Sequence, residues 1–198
     1  PGTNGKVIQR SFELGWGGIV CKTISLEHSK VTNVAPRYGK LADPDDRKNV
    51  FGFQNIELIS DRPFDLWPEE LAAAKAAYPD RSLIASSMEE YEKECWVEIT
   101  ERTQASGVDA FELNFSCPHG LPERQMGAAM GQDPAIVEEV TAWVKAVAKV
   151  PVWAKMTPNI TDITVPAKAA ERGSHGVGLV GIGQVRVVLF RYAGVNVT

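Results

Sequence analysis

The feature that most constrains this chain is a repeated alternation. Short apolar runs rich in Val, Ile and Leu are separated by amphipathic stretches of 11 to 17 residues, the pattern of βα units around a parallel sheet. The runs are 18–23, 82–86, 110–115, 150–156 and 176–182, and the spacing predicts helices over 3–14, 68–78, 89–106, 134–149 and 163–172. Two helices carry explicit punctuation. Asp133-Pro134 supplies an N-cap followed by proline at the first helical position, with Lys145 and Lys149 near the far end where the helix dipole favours cations. Pro68, Glu69 and Glu70 open an earlier helix and Pro79 closes it. The strand-like segment Gln54 to Ser60 falls between the first run and its helix, which places it on a long, structured βα loop.

Five such units fit either an open doubly wound sheet or a (β/α)8 barrel, and periodicity alone does not choose. With 198 residues the chain holds one ordinary core. A complete barrel takes about 250 residues, so a barrel here is expected to be incomplete. The first element reads as a helix, so the expectation is that the first strand is missing.

Charge and composition remove several function classes. Lys and Arg number 21 against 25 Asp and Glu, with no basic run of the kind that binds polyanions, so no nucleic-acid partner is expected. No apolar stretch is long enough to cross a bilayer, and the first ten residues lack the apolar core of a signal peptide; no membrane association and an intracellular location are the expectations. Three cysteines and three histidines match neither a disulfide framework nor a metal or iron-sulfur spacing, so no metal is expected.

The segment from Phe111 to Gly120 (FELNFSCPHG) is the most informative, because a strand runs into a turn holding Asn114, Ser116, Cys117 and His119. In α/β folds ligands sit at the carboxyl ends of strands. An Asn amide presents a donor beside an acceptor and so complements an amide or imide edge. Cys117 could act as a nucleophile, as a proton donor, or be a buried thiol beside a turn proline. Lys22 and Lys155 occupy equivalent places on other strands, where an ammonium must either reach water or meet an anion; both are expected to point at a negatively charged ligand. Asn55 and Glu57 offer a second polar contact set. A G-x-G-x-x-G match at 176–181 lacks the following helix and acidic residue that a dinucleotide site requires, and is set aside.

From about Gly2 to Val165 the chain resembles the flavin-bearing domain of the dihydropyrimidine dehydrogenases, and looks closest to the shorter plant and algal form. The matching text is Phe12-Glu-Leu-Gly-Trp-Gly17, Lys22-Thr23, Val31-Thr-Asn-Val-Ala-Pro-Arg37, Asn55-Ile-Glu-Leu-Ile-Ser60, Asn114-Phe-Ser-Cys-Pro-His-Gly120, the run Met126-Gly-Ala-Ala129, Gly131-Gln-Asp133 and Trp153-Ala-Lys-Met-Thr-Pro-Asn-Ile-Thr-Asp-Ile163. The related dihydroorotate dehydrogenases share the Asn-x-Ser-Cys-Pro core but usually continue with Asn where this chain has His119-Gly120.

The resemblance implies a (β/α)8 barrel with FMN at its C-terminal mouth, reducing the C5=C6 bond of uracil or thymine with electrons from NADPH. It places Lys22, Thr23 and Lys155 on the flavin, and Asn55, Asn114, Phe115 and Ser116 on the pyrimidine base. Cys117 becomes the general acid that protonates C5. It further implies a homodimer or an electron-transfer subunit as partner, and a cytoplasmic or plastid location. The likeness fails after the fifth strand: Gly181 to Gln184 stands where the family has a substrate-binding Asn-Thr pair. The resemblance therefore implies a partial (β/α)8 barrel over 1–183 that lacks the first strand and the last two βα units, and a divergent tail over 184–198. Two alternatives stay open, dihydroorotate oxidation on the same barrel and a non-catalytic fragment acting as an interaction module.

Overall fold

The computed structural model describes residues 2–26, 33, 35–55, 57–117, 124–174 and 180–182. Five strands form one parallel sheet: β1 (Gly18–Val20), β4 (Ser82–Ser87), β5 (Ala110–Phe115), β6 (Val152–Met156) and β7 (Val180–Ile182). Their order in the sheet is β1-β4-β5-β6-β7, so each strand lies beside the next one in the chain. A doubly wound sheet reverses direction at a switch point. This one never does, which settles the alternative left open by periodicity in favour of the barrel type. At the β1 edge Gly2 forms one further parallel bridge to Cys21.

The helices are α1 (Gly5–Glu13), α2 (Leu66–Ala77), α3 (Lys93–Gln104), α4 (Ala128–Gly131), α5 (Pro134–Val147) and α6 (Thr164–Gly173). Apart from the single turn α4, they pack in chain order, α1 on α2, α2 on α3, α3 on α5 and α5 on α6. On β5 the period-two alternation sends Phe111, Leu113 and Phe115 into the core with Trp96, Val137 and Val140, while Glu112 and Asn114 take the opposite face. Trp96 of α3 meets Phe115 at 6.1 Å between ring centroids, and Trp67 of α2 is fully buried. Both sheet faces are covered along β4, where Leu83 through Ser87 are all buried, as expected for a parallel strand.

The expected elements are all found, with shifted ends. The Asp133 carboxylate receives the backbone N–H of Ala135 at 2.9 Å and of Ile136 at 3.3 Å, so α5 starts where the sequence predicts. α2 begins two residues before Pro68, which a first turn tolerates because its N–H groups have no intrahelical partner. α3 begins four residues after Glu89, since Glu92 is still extended. The Gln54 to Ser60 reading needs correction: the strand is β3 (Val50–Asn55), paired antiparallel with β2 (Tyr38–Ala42), so the long β1–α2 connection carries a hairpin. His119, His28, the glycine motif up to Leu179 and the tail over 184–198 lie outside the described residues.

Candidate active site

Parallel strands all end on one side of the sheet, so the residues at their carboxyl ends converge. A cleft of about 760 Å³ opens there, within the range of small-molecule sites. Its floor and walls bring together Lys22, Thr23, Ser86, Glu112, Asn114, Ser116, Cys117 and Lys155, with Ile19, Val20 and Leu58 as apolar neighbours. Seven of the sequence-predicted residues therefore share one site: Lys22, Thr23, Glu57, Asn114, Ser116, Cys117 and Lys155. Two stand elsewhere. Asn55 is exposed at the end of β3, where its Oδ1 accepts the Glu57 N–H at 2.8 Å. The Phe115 side chain is in the helix-side core, so its backbone is the part on the cleft side of the strand end.

Asn114 is the structural knot of the site. Its Oδ1 accepts from the Ser116 N–H at 3.0 Å, the Ser116 hydroxyl at 2.9 Å and the Cys117 N–H at 3.2 Å. Its Nδ2 donates to Thr23 Oγ1 at 3.0 Å, and Thr23 Oγ1 shares a 2.9 Å hydrogen bond with Ser86 Oγ. One amide thus fixes the turn that carries Cys117 and ties it to the end of β1. The donor-beside-acceptor property that suggested ligand recognition is used here to hold the chain itself.

Each lysine meets a protein carboxylate. Lys22 Nζ lies 3.4 Å from Glu57 and Lys155 Nζ lies 2.6 Å from Glu112. Glu57 also accepts from Arg37 at 3.3 Å and from the Tyr38 hydroxyl at 3.1 Å. Burial works against the Glu57 charge, but Lys22, Tyr38 and Arg37 outweigh it and hold the carboxyl below its usual range. Among the described lining residues the charges are Lys22 and Lys155 against Glu57 and Glu112, which sum to zero. Glu112 was not singled out by the sequence reading. Its signal was present, since a residue two before Asn114 on a strand shares that residue's face.

Cys117 is half-buried and sits against a small apolar cluster of Ile59, Met88 and Met126. Its carbonyl accepts the Ala128 N–H at 3.0 Å. Gly127 permits this approach: its φ is +57°, and a Cβ there would lie 2.5 Å from the Cys117 oxygen. Cys21 also lines the cleft. Burial pushes its thiol up to about 12, so it stays protonated. No group of His, Cys, Asp and Glu that could hold a metal occurs among the described residues.

Strand order and site together define the mouth of a parallel α/β barrel, and comparison with known proteins identifies the family. The dihydroorotate dehydrogenase family matches residues 2–189, and the chain belongs to it. More particularly, it is 54% identical over 184 residues, 91% of the chain, to the chloroplastic dihydropyrimidine dehydrogenase (NADP(+)) of Arabidopsis thaliana, covering 43% of that protein. It is 38% identical over 179 residues, 90% of the chain, to the NAD-dependent dihydropyrimidine dehydrogenase subunit PreA of Escherichia coli (strain K12), covering 42% of it. The catalytic subunit of dihydroorotate dehydrogenase B (NAD(+)) of Methanosarcina mazei is 38% identical over 173 residues, 87% of the chain and 51% of that protein. The chain thus spans about half the length, or less, of these relatives. No helix among the described residues is long and apolar enough to cross a membrane.

Proposed function

We propose that this chain forms the pyrimidine- and flavin-binding face of a dihydropyrimidine dehydrogenase, which reduces the C5=C6 bond of uracil or thymine with electrons originating from NADPH. The observation that carries the reading is the position of Cys117, held by Asn114 in the wall of a cleft that Lys22 and Lys155 also line. The higher identity to the plant enzyme than to the dihydroorotate enzyme supports the choice of substrate.

The donor set suits FMN. Two ammonium groups, the Thr23 and Ser86 hydroxyls and an apolar wall from Ile19, Val20 and Leu58 match a flat heterocycle with a polar edge. Lys22, Thr23 and Lys155 would hold it. When bound, FMN supplies the hydride chemistry, and its reduced form carries negative charge that an ammonium stabilises. The remaining work belongs to the chain. Ser116, and Asn114 if its amide exchanges partners, would orient the imide edge of the base, with Asn55 reaching it only if the hairpin moves. Cys117 Sγ donates one proton to C5, which requires the thiol form. Ile59, Met88 and Met126 keep water from the other side of that thiol. A partner, either a second copy of the chain or an electron-transfer subunit, and a cytoplasmic or plastid location extend this proposal.

The test is FMN binding followed by turnover. The full chain is expected to bind FMN and to oxidise NADPH in a uracil-dependent way, with dihydroorotate inert. Cys117→Ser should keep FMN and lose about 10²- to 10⁴-fold in rate, the usual worth of a general acid. Undiminished turnover by the serine variant, or preference for dihydroorotate, overturns the proposal.

A further inference from the structure

Within the flavin reading just proposed, on which this inference rests, we propose that Glu112 is a positioning residue: it fixes the Lys155 ammonium on the cleft floor and limits the positive charge that a bound flavin meets there. Asn114 pairs with Lys155 across β5 and β6, and Glu112 pairs with Trp153, so Glu112 and Lys155 are diagonal neighbours on one face. Their contact is 2.6 Å, and the side chains are 17% and 27% exposed. A charge so placed is costly to leave without a partner.

Among the described residues lining the cleft, Glu57 is the one other carboxylate. Ser86, beside Glu112 in the register with β4, contributes a hydroxyl, and Cys21 contributes a protonated thiol. Glu57 is engaged with Lys22. An ammonium has three N–H donors. With one directed at Glu112, the chain aims the rest and also fixes the charge that acts on the ligand. Glu112 need not touch the ligand to do this.

The experiment measures the two-electron midpoint potential of FMN bound to the full chain, by equilibration with a reference dye. Glu112→Gln keeps the size of the side chain and removes its charge. It should favour reduced over oxidised FMN about tenfold, a shift of about 30 mV to more positive potential. Glu112→Asp, which keeps the charge, should return the potential toward wild type. Lys155→Met should move the potential the opposite way, and the double variant Lys155→Met/Glu112→Gln, neutral like the wild-type pair, should return toward wild type and also serves if the single variant folds poorly. An unchanged potential in Glu112→Gln with FMN bound overturns the inference alone, as does a double variant that keeps the Glu112→Gln potential. Failure of the wild-type chain to bind FMN overturns the flavin reading and this inference with it.

Discussion

Glu70→Gln tests how the first helix is fastened to the sheet edge. The Glu70 carboxylate receives the Gly5 N–H at 2.6 Å and two Arg62 nitrogens at 2.7 and 2.5 Å. Arg62 stacks 5.2 Å over the Trp67 ring, and the Trp67 indole donates to Ser60 Oγ at 3.1 Å. The Ser60 N–H in turn donates to the Thr23 carbonyl at 2.8 Å. The network therefore runs from α1 through α2 to the loop that closes the cleft. A glutamine supplies one acceptor oxygen and turns an NH₂ toward either Gly5 or Arg62. A hydrogen bond to a charged group contributes about 1.5–3 kcal/mol, and bonds that share one carboxylate do not add. The pair is about a third exposed, so solvent screening argues for the low end. A loss of about 2 kcal/mol lowers Tm by roughly 4–8 °C in a domain of this size.

The same carboxylate fixes the pH dependence. The Arg62 hydrogen bonds hold Glu70 below its ordinary value of 4.5. A depressed folded-state pKa adds stability that is fully present above the ordinary value and disappears as pH falls through the depressed one. The gap in Tm between wild type and variant should be constant from pH 5.5 to 8 and shrink below about pH 4.5. Thermal melts followed by circular dichroism across that range provide the check. A gap under 1 °C at pH 7, or one that persists unchanged at pH 3, refutes the reasoning.

Two further outcomes are expected. Gly127→Ala forces a side chain into φ +57° and against the Cys117 carbonyl; strain of about 1–3 kcal/mol should appear as a lower urea midpoint, together with changed reactivity at Cys117, and an unaltered midpoint would show that the turn adapts freely. In a thiol titration at pH 8, Cys117 alone should react quickly, because Cys21 and Cys95 are 1% and 4% exposed and burial, aided at Cys95 by Glu92, pushes both up to about 12; two fast thiols in the folded protein would contradict the buried placement.

What the sequence disclosed, it disclosed through local signals. The Val, Ile and Leu runs marked the strands because a parallel strand is covered on both faces. Asp133-Pro134 marked α5 because capping is a property of adjacent residues. The β2–β3 hairpin escaped because its aromatic residues, Phe51 and Phe53, are exposed at 71% and 75%, so burial imposes no readable alternation on it. Its connection is also rich in charge, which reads as loop. The partners of Lys22 and Lys155 were out of reach for another reason. Both were expected to face a negatively charged ligand, and each meets a carboxylate of the chain instead: Glu57 is 35 positions from Lys22 and Glu112 is 43 from Lys155, and strand register brings only the second pair together.

That register also explains why so much of the candidate chemistry could be found without it. Every strand of a parallel sheet ends on the same side, so any polar residue at the end of an apolar run arrives at the same mouth whatever the order of strands. Thr23, Ser86, Asn114 and Lys155 each follow or close such a run. The strand ends therefore select which residues meet, whereas the hydrogen bonds of Asn114 decide how they are aimed. Substitutions on the helix-facing side of β5, such as at Phe111 or Leu113, should act on stability, and those on its other face should act on the site, because alternation separates the two tasks one residue at a time.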